Sequence, residues 1–88
     1  WNTQDEIRRI QDEISYLESQ SRSESRLLEE LEARRDIKQI SQKEYEKRRV
    51  PHVVTIERIE KEISEKKEKI ERLGKRLDSI DQTLQRLE

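Results

Sequence analysis

Counting alternately by three and by four from Ile56 lands on Ile56, Ile59, Ile63, Lys66, Ile70, Leu73, Leu77, Ile80, Leu84 and Leu87. Nine of these ten are Ile or Leu. Only a helix puts such positions on one face, and a stripe this narrow is what a coiled coil buries. The N-terminal part keeps the same rhythm at Ile7, Ile10, Ile14, Leu17, Ser21, Glu24, Leu28 and Leu31, where six of eight are apolar. Between the two runs the seam positions are Arg35, Lys38, Gln42, Tyr45, Arg49 and His52, and only Tyr45 is apolar. The pattern predicts two helical arms around a middle that does not continue the core.

Composition excludes the other classes. Charged residues are 47% of the 88-residue chain and hydrophobic ones 28%, too few for a compact globule to offset chain entropy. The periodic seam removes the remaining option, a disordered charged chain. No apolar run approaches the ~18 residues of a membrane span. With no Cys there is neither a disulfide nor a thiolate zinc scaffold. Twenty basic and 21 acidic residues give a net charge of −1, so nucleic acid is not an expected partner, and neither is a membrane. No leader segment opens the chain, so the expected location is cytoplasmic. The chain starts at Trp1 and reads as a segment of something larger.

The middle carries breaks. Ser41-Gln42-Lys43-Glu44 has the form of a capping box, and so does Thr3-Gln4-Asp5-Glu6. Ser21-Arg22-Ser23-Glu24 shares the pattern but lies in unbroken heptad phase, so it starts no helix. Pro51 lacks an amide hydrogen and biases Val50 away from helical angles. The layout expected is helix 4–38, a turn at 39–41, a short helix 42–49, a bend at 50–52 and helix 53–87. As one module, that is an arm 4–38, a turn and tip 39–52, and an arm 53–87. Exposed pairs at i and i+4, such as Glu65 with Lys69 and Glu71 with Lys75, support the helices by a few tenths of a kcal/mol each.

The arms either fold back or pair with a second chain as a parallel dimeric rod kinked at Pro51. Folding about residues 44–47 brings Ile7 near Leu84, Ile14 near Leu77 and Leu28 near Ile63. It also sets Glu24 within about one layer of Lys66 as a buried charge pair. A parallel dimer would set each charge against its own copy. The fold expected is therefore all-α: an antiparallel two-helix coiled-coil hairpin that self-associates. Its core seam comprises Ile7, Ile10, Ile14, Leu17, Leu28, Leu31, Ile56, Ile59, Ile63, Ile70, Leu73, Leu77, Ile80 and Leu84.

Catalysis is not expected. The carboxylates fall on solvated faces, and a helical pair offers no shielded site to shift a pKa. His52 reads as a turn residue beside Pro51, with no second His or Cys to hold zinc. Gly74 marks a close approach near Leu17 or a kink. No catalytic residue, metal or cofactor is expected. Basic clusters at Lys43, Lys47, Arg48 and Arg49, and from Lys66 to Arg76, are interleaved with Glu and read as solvated faces. The apolar patch off the seam, Val50-Pro51-His52-Val53-Val54, marks a contact surface. With Tyr45, residues Val50, Val53 and Val54 are the expected partner-binding set.

At this patch, Val50-Pro51-His52-Val53 resembles the zinc hook of SMC-like DNA-repair ATPases, whose apex has Cys-Pro-x-Cys between two charged helices. Here Val stands at both Cys places. The resemblance implies an arm tip of a chromosome-maintenance protein that dimerises through its apex by apolar contact, with no zinc. The stretch from Leu31 to Arg49 resembles short helical oligomerisation motifs at bacterial protein C-termini, which also implies association. The expected function is a non-catalytic oligomerisation, spacer or scaffolding module of structural, cytoskeletal or filament-associated type. Its partners would be its own copies and another protein. The alternatives are the SMC-like arm tip and a nucleic-acid-binding helical arm, the latter to be tested by charge reversal at Lys47, Arg48 and Arg49.

Overall fold

The structure, a computed structural model, describes residues 2–87, with Leu87 described in its backbone alone. Trp1 and the seam side chain of Leu87 lie outside the described residues. The chain forms two α-helices, α1 (Thr3–Asp36) and α2 (Gln42–Leu87). They fold back on each other as an antiparallel hairpin measuring 72 × 18 × 15 Å. The radius of gyration is 20.5 Å, where a globule of this length would have roughly 12 Å. The parallel rod is not what this chain forms.

Each helix end shows why it stops where it does. α1 starts one residue earlier than expected, because Asn2 rather than Thr3 is the cap. The Asn2 side-chain oxygen accepts the Asp5 amide at 2.9 Å, and Asn caps at least as well as Thr. Glu6 is thereby released from capping and pairs across the hairpin with Lys69 at 3.5 Å. α1 ends at Asp36, not 38. There the Gln39 amide donates to the Arg34 carbonyl at 2.9 Å and the Lys38 amide to the Arg35 carbonyl at 3.0 Å. These two bonds are the Schellman closure, and they require a left-handed residue between them. Lys38 is that residue, at φ 63°. A side chain there costs about 1 kcal/mol that Gly would not. Lys38→Gly is therefore expected to stabilise the hairpin by roughly 0.5–1 kcal/mol, read as a higher urea midpoint at unchanged m-value.

α2 begins as the Ser41 pattern predicts. The Glu44 amide donates to Ser41 Oγ at 3.1 Å. The Glu44 carboxylate does not reach back; it accepts from Arg48 Nε at 2.7 Å. From Gln42 the helix runs unbroken to Leu87. The expected break at 50–52 is absent, and Pro51 sits inside α2. The residue removes one backbone hydrogen bond, and helical seam positions on both sides hold the path. The tip is therefore the turn 37–41, not 39–52, and the second arm is 42–87.

The seam runs where the three-four spacing places it, in a different register. Ile10, Ile14, Leu17, Leu31, Ile59 and Leu73 are buried, with Ile10 and Ile59 only 2% exposed. Ile10, Ile14 and Leu73 form one cluster, and Ile7, Ile63 and Ile70 pack against it. Leu28, Ile56 and Leu77 are half-buried. So Ile7 and Ile14 meet residues 63–73 rather than Leu84 and Leu77. The fold is centred on the turn 37–41 rather than on 44–47. As a result α2 outruns α1, and Ile80 and Leu84, expected in the core, are 48% and 56% exposed. Gly74 does not mark a close approach, since a Cβ there would meet nothing within 4 Å.

Candidate interaction surfaces

Besides the Glu6–Lys69 pair, polar contacts bridge the helices at three levels along the rod and define the register. Near the open end, Lys66 Nζ lies 2.7 Å from Glu13 Oε2. Midway, His52 Nδ1 lies 2.6 Å from Glu24 Oε2, with both side chains about one quarter exposed. At the closed end, the Arg35 guanidinium stacks 4.2 Å above the Tyr45 ring, and the Tyr45 hydroxyl donates to Glu32 at 3.4 Å.

These contacts correct the expected charge pair. Glu24 does not meet Lys66; Glu24 takes His52 and Lys66 takes Glu13. The physical reason is the turn. A Schellman closure at 34–39 followed by the Ser41 cap leaves five residues between helices, and so short a connection fixes which seam residues lie opposite. His52 is a seam residue on α2, not a turn residue. A seam carboxylate opposite a seam imidazole satisfies both polar groups in a partly dry layer.

The Glu13 carboxyl is held below the usual carboxylate range, chiefly by its hydrogen bond from Lys66, with the charges of Lys66, Arg9 and Lys69 adding to this against a burial effect that raises it. A lowered folded-state pKa means a contribution that is complete above the ordinary carboxylate range and lost as pH falls through it. Lys66→Ala is thus expected to flatten the acid side of the pH–stability curve, as measured by urea midpoints between about pH 5 and 2.

Of the expected partner-binding set, the structure separates Tyr45 from the valines. Tyr45 is 8% exposed and sandwiched at the closed end, so it is a packing residue. Burying its ring against Arg35 and α1 closes the hairpin where the seam otherwise lacks apolar side chains. Val50 and Val54 are exposed at 54% and 58%, one helical turn apart, while Val53 is half-buried. They lie along the side of α2, past the turn, so Val50-Pro51-His52-Val53 is not the apex of this hairpin. The second apolar surface is the uncovered end of α2, where Ile80 and Leu84 line a shallow groove with Arg76, Ser79 and Thr83. Pairing the arms with flush ends hides this surface, because Ile80 and Leu84 then count as core.

Other concavities are open surface grooves, such as that between the helices bounded by Arg9, Asp12, Glu13, Tyr16, Leu17, Glu62 and Lys66. Among the described residues, no three His, Asp or Glu side chains converge where they would hold a metal ion. No helix among them is long and apolar enough to cross a membrane. No protein-family model matches the chain, and no curated protein or solved structure gives a significant match.

Proposed function

We propose that this chain is a non-catalytic coiled-coil interaction module, a stiff arm that self-associates and presents apolar surface to other helices. One observation carries the reading. The hairpin buries a single seam and leaves Val50, Val54, Ile80 and Leu84 about half exposed on a 72 Å rod. One seam between two helices uses only part of the apolar stripe, and a small helical pair gains stability by further association. The geometry also supports a spacer role, because the start of α1 and the end of α2 lie at the same end of the rod. Attached segments would leave together from there, with the 37–41 turn held at the far end.

Sedimentation equilibrium from about 10 μM to 1 mM tests the reading, a range that covers association free energies of roughly 4 to 7 kcal/mol. The chain is expected to show mass above the monomer. Replacing Val53 and Val54 with Ser should reduce lateral association while far-UV circular dichroism stays helical. A wild-type chain that remains monomeric throughout contradicts the reading.

A further inference from the structure

The outward face of α2 is mostly Lys and Glu, as at Lys43, Lys47, Glu57 and Lys61, all exposed. At one place it is not. Val50, Pro51 and Val54 share that face within about one turn, with Val50 and Val54 54% and 58% exposed. Val53, on the flank toward α1, is half-buried and backs them. β-Branched residues and Pro weaken a helix, and at exposed positions no packing within the hairpin offsets that cost. Such residues, clustered in a helix otherwise faced with good helix formers, break the local rule without a gain inside the hairpin, which points to a contact made outside it.

We propose that a second copy covers this patch, its own residues 50–54 running antiparallel across the first, so that two hairpins cross side by side at their α2 helices. The proposal rests on the reading of the chain as a self-associating module and names its contact. Symmetry and charge choose the occupant. A two-fold axis at residue 52 puts Val50 of each copy on Val54 of the other, the self-complementarity that an isologous contact requires. The same axis puts Lys47 of each copy beside Glu57 of the other, so opposite charges flank the valines on both sides. A parallel pair would set Lys47 against Lys47 and Glu57 against Glu57.

One feature opposes the contact. The same antiparallel pairing brings Lys43 toward Lys61 and Glu46 toward Glu60, and like charges weaken the pair. These residues lie farther from the axis than Lys47 and Glu57, where helices crossing at the common angle of about 50° have begun to diverge. The favourable pairs are therefore the closer ones. With a small apolar patch and this repulsion, the dimer is weak, with a dissociation constant on the order of 100 μM.

The test is sedimentation of the full chain over a concentration series, with helicity followed by circular dichroism. Val54→Glu, and separately Val50→Glu, should weaken the dimer at least about tenfold. Both sites are exposed and Glu is the better helix former, so helicity should hold. Lys47→Glu and Glu57→Lys, each alone, should weaken it several-fold. An equimolar mixture of those two variants should associate as well as the unaltered chain, because each altered side chain then meets its opposite in the other copy. A single label at the exposed Ser64 reads the direction. Ser64 stands about twelve residues from the axis, so the labels of two copies lie about 35 Å apart in the antiparallel dimer and under about 20 Å apart in a parallel one. A dimer showing the shorter distance, or one indifferent to Val50 and Val54, overturns this contact and leaves the interaction-module reading standing. So does a dimer that the single charge changes leave unaltered. A chain that never exceeds the monomer overturns both.

Discussion

Replacing Ile59 with Ala is expected to destabilise the hairpin by about 3 kcal/mol, the usual size for emptying a closely packed aliphatic site. Ile59 is 2% exposed, as fully enclosed as any side chain among the described residues. A single-seam hairpin has ~5 kcal/mol in all, so most of its cooperative unfolding transition should be lost. The matched change Ile80→Ala, made at low micromolar concentration, should shift stability by no more than about 0.5 kcal/mol. Ile59 and Ile80 hold equivalent places in the three-four spacing, and only the register distinguishes them. If the ends were flush, both substitutions would cost alike. Urea titration of the two variants side by side reads the difference.

Pro51→Ala should work in the opposite direction. Pro inside a helix costs about 3 kcal/mol relative to Ala, because it removes an amide donor and crowds the carbonyl four residues back. Here that is the Lys47 carbonyl, which has no Pro51 amide to accept. The ring also restricts the unfolded chain, which returns up to ~1 kcal/mol to the native protein. The net expectation is a gain of about 2 kcal/mol for the Ala variant, or roughly 10 °C in Tm for a chain of this size. A loss of stability would mean that residues 50–52 form a bend that needs Pro, as the sequence alone predicts. Circular dichroism melts of both chains decide between these outcomes.

The two predictions show where sequence reasoning reached and where it stopped. The seam was legible because the three-four spacing of Ile and Leu leaves one helical face to bury. Ile10, Ile14, Leu17, Leu31, Ile59 and Leu73 follow from that alone. The register was not, because sliding one arm by a heptad keeps every seam residue on the seam. What breaks the tie is local. Lys38 occupies a left-handed position that normally advertises itself as Gly, so the turn at 39–41 predicted from the Ser41 cap begins two residues earlier, at Ile37. Moving the fold centre to 37–41 pairs Glu24 with His52 rather than with Lys66. Pro51 makes His52 read as a turn residue, although it falls on a seam position in the same count. Folding the three-four spacing about Lys38 sets Glu24 opposite His52, a signal that the break expected at Pro51 obscures.

The same shift changes the functional surfaces. With flush ends, the exposed apolar residues would have been the valines and Tyr45 at a tip. In the observed register Tyr45 is enclosed under Arg35, the valines lie along the side of α2, and the largest uncovered piece of seam is at the opposite end. Glu13–Lys66 and Glu6–Lys69 lock that end in place. They leave Ile80 and Leu84 projecting beyond α1.

The central claim is the offset hairpin, and label distances test it most directly. One label is fixed at Gln4, and the second is placed at Lys75 in one chain and at Gln85 in another, each diluted into unlabelled protein. The offset register predicts about 10–15 Å from Gln4 to Lys75, close to the spacing of packed helix axes, and a longer distance to Gln85, since ten residues of helix add about 15 Å along the rod. A shorter distance to Gln85 than to Lys75 would mean flush ends and would contradict the register. Distances on the order of 100 Å for both would mean that the chain does not fold back at all.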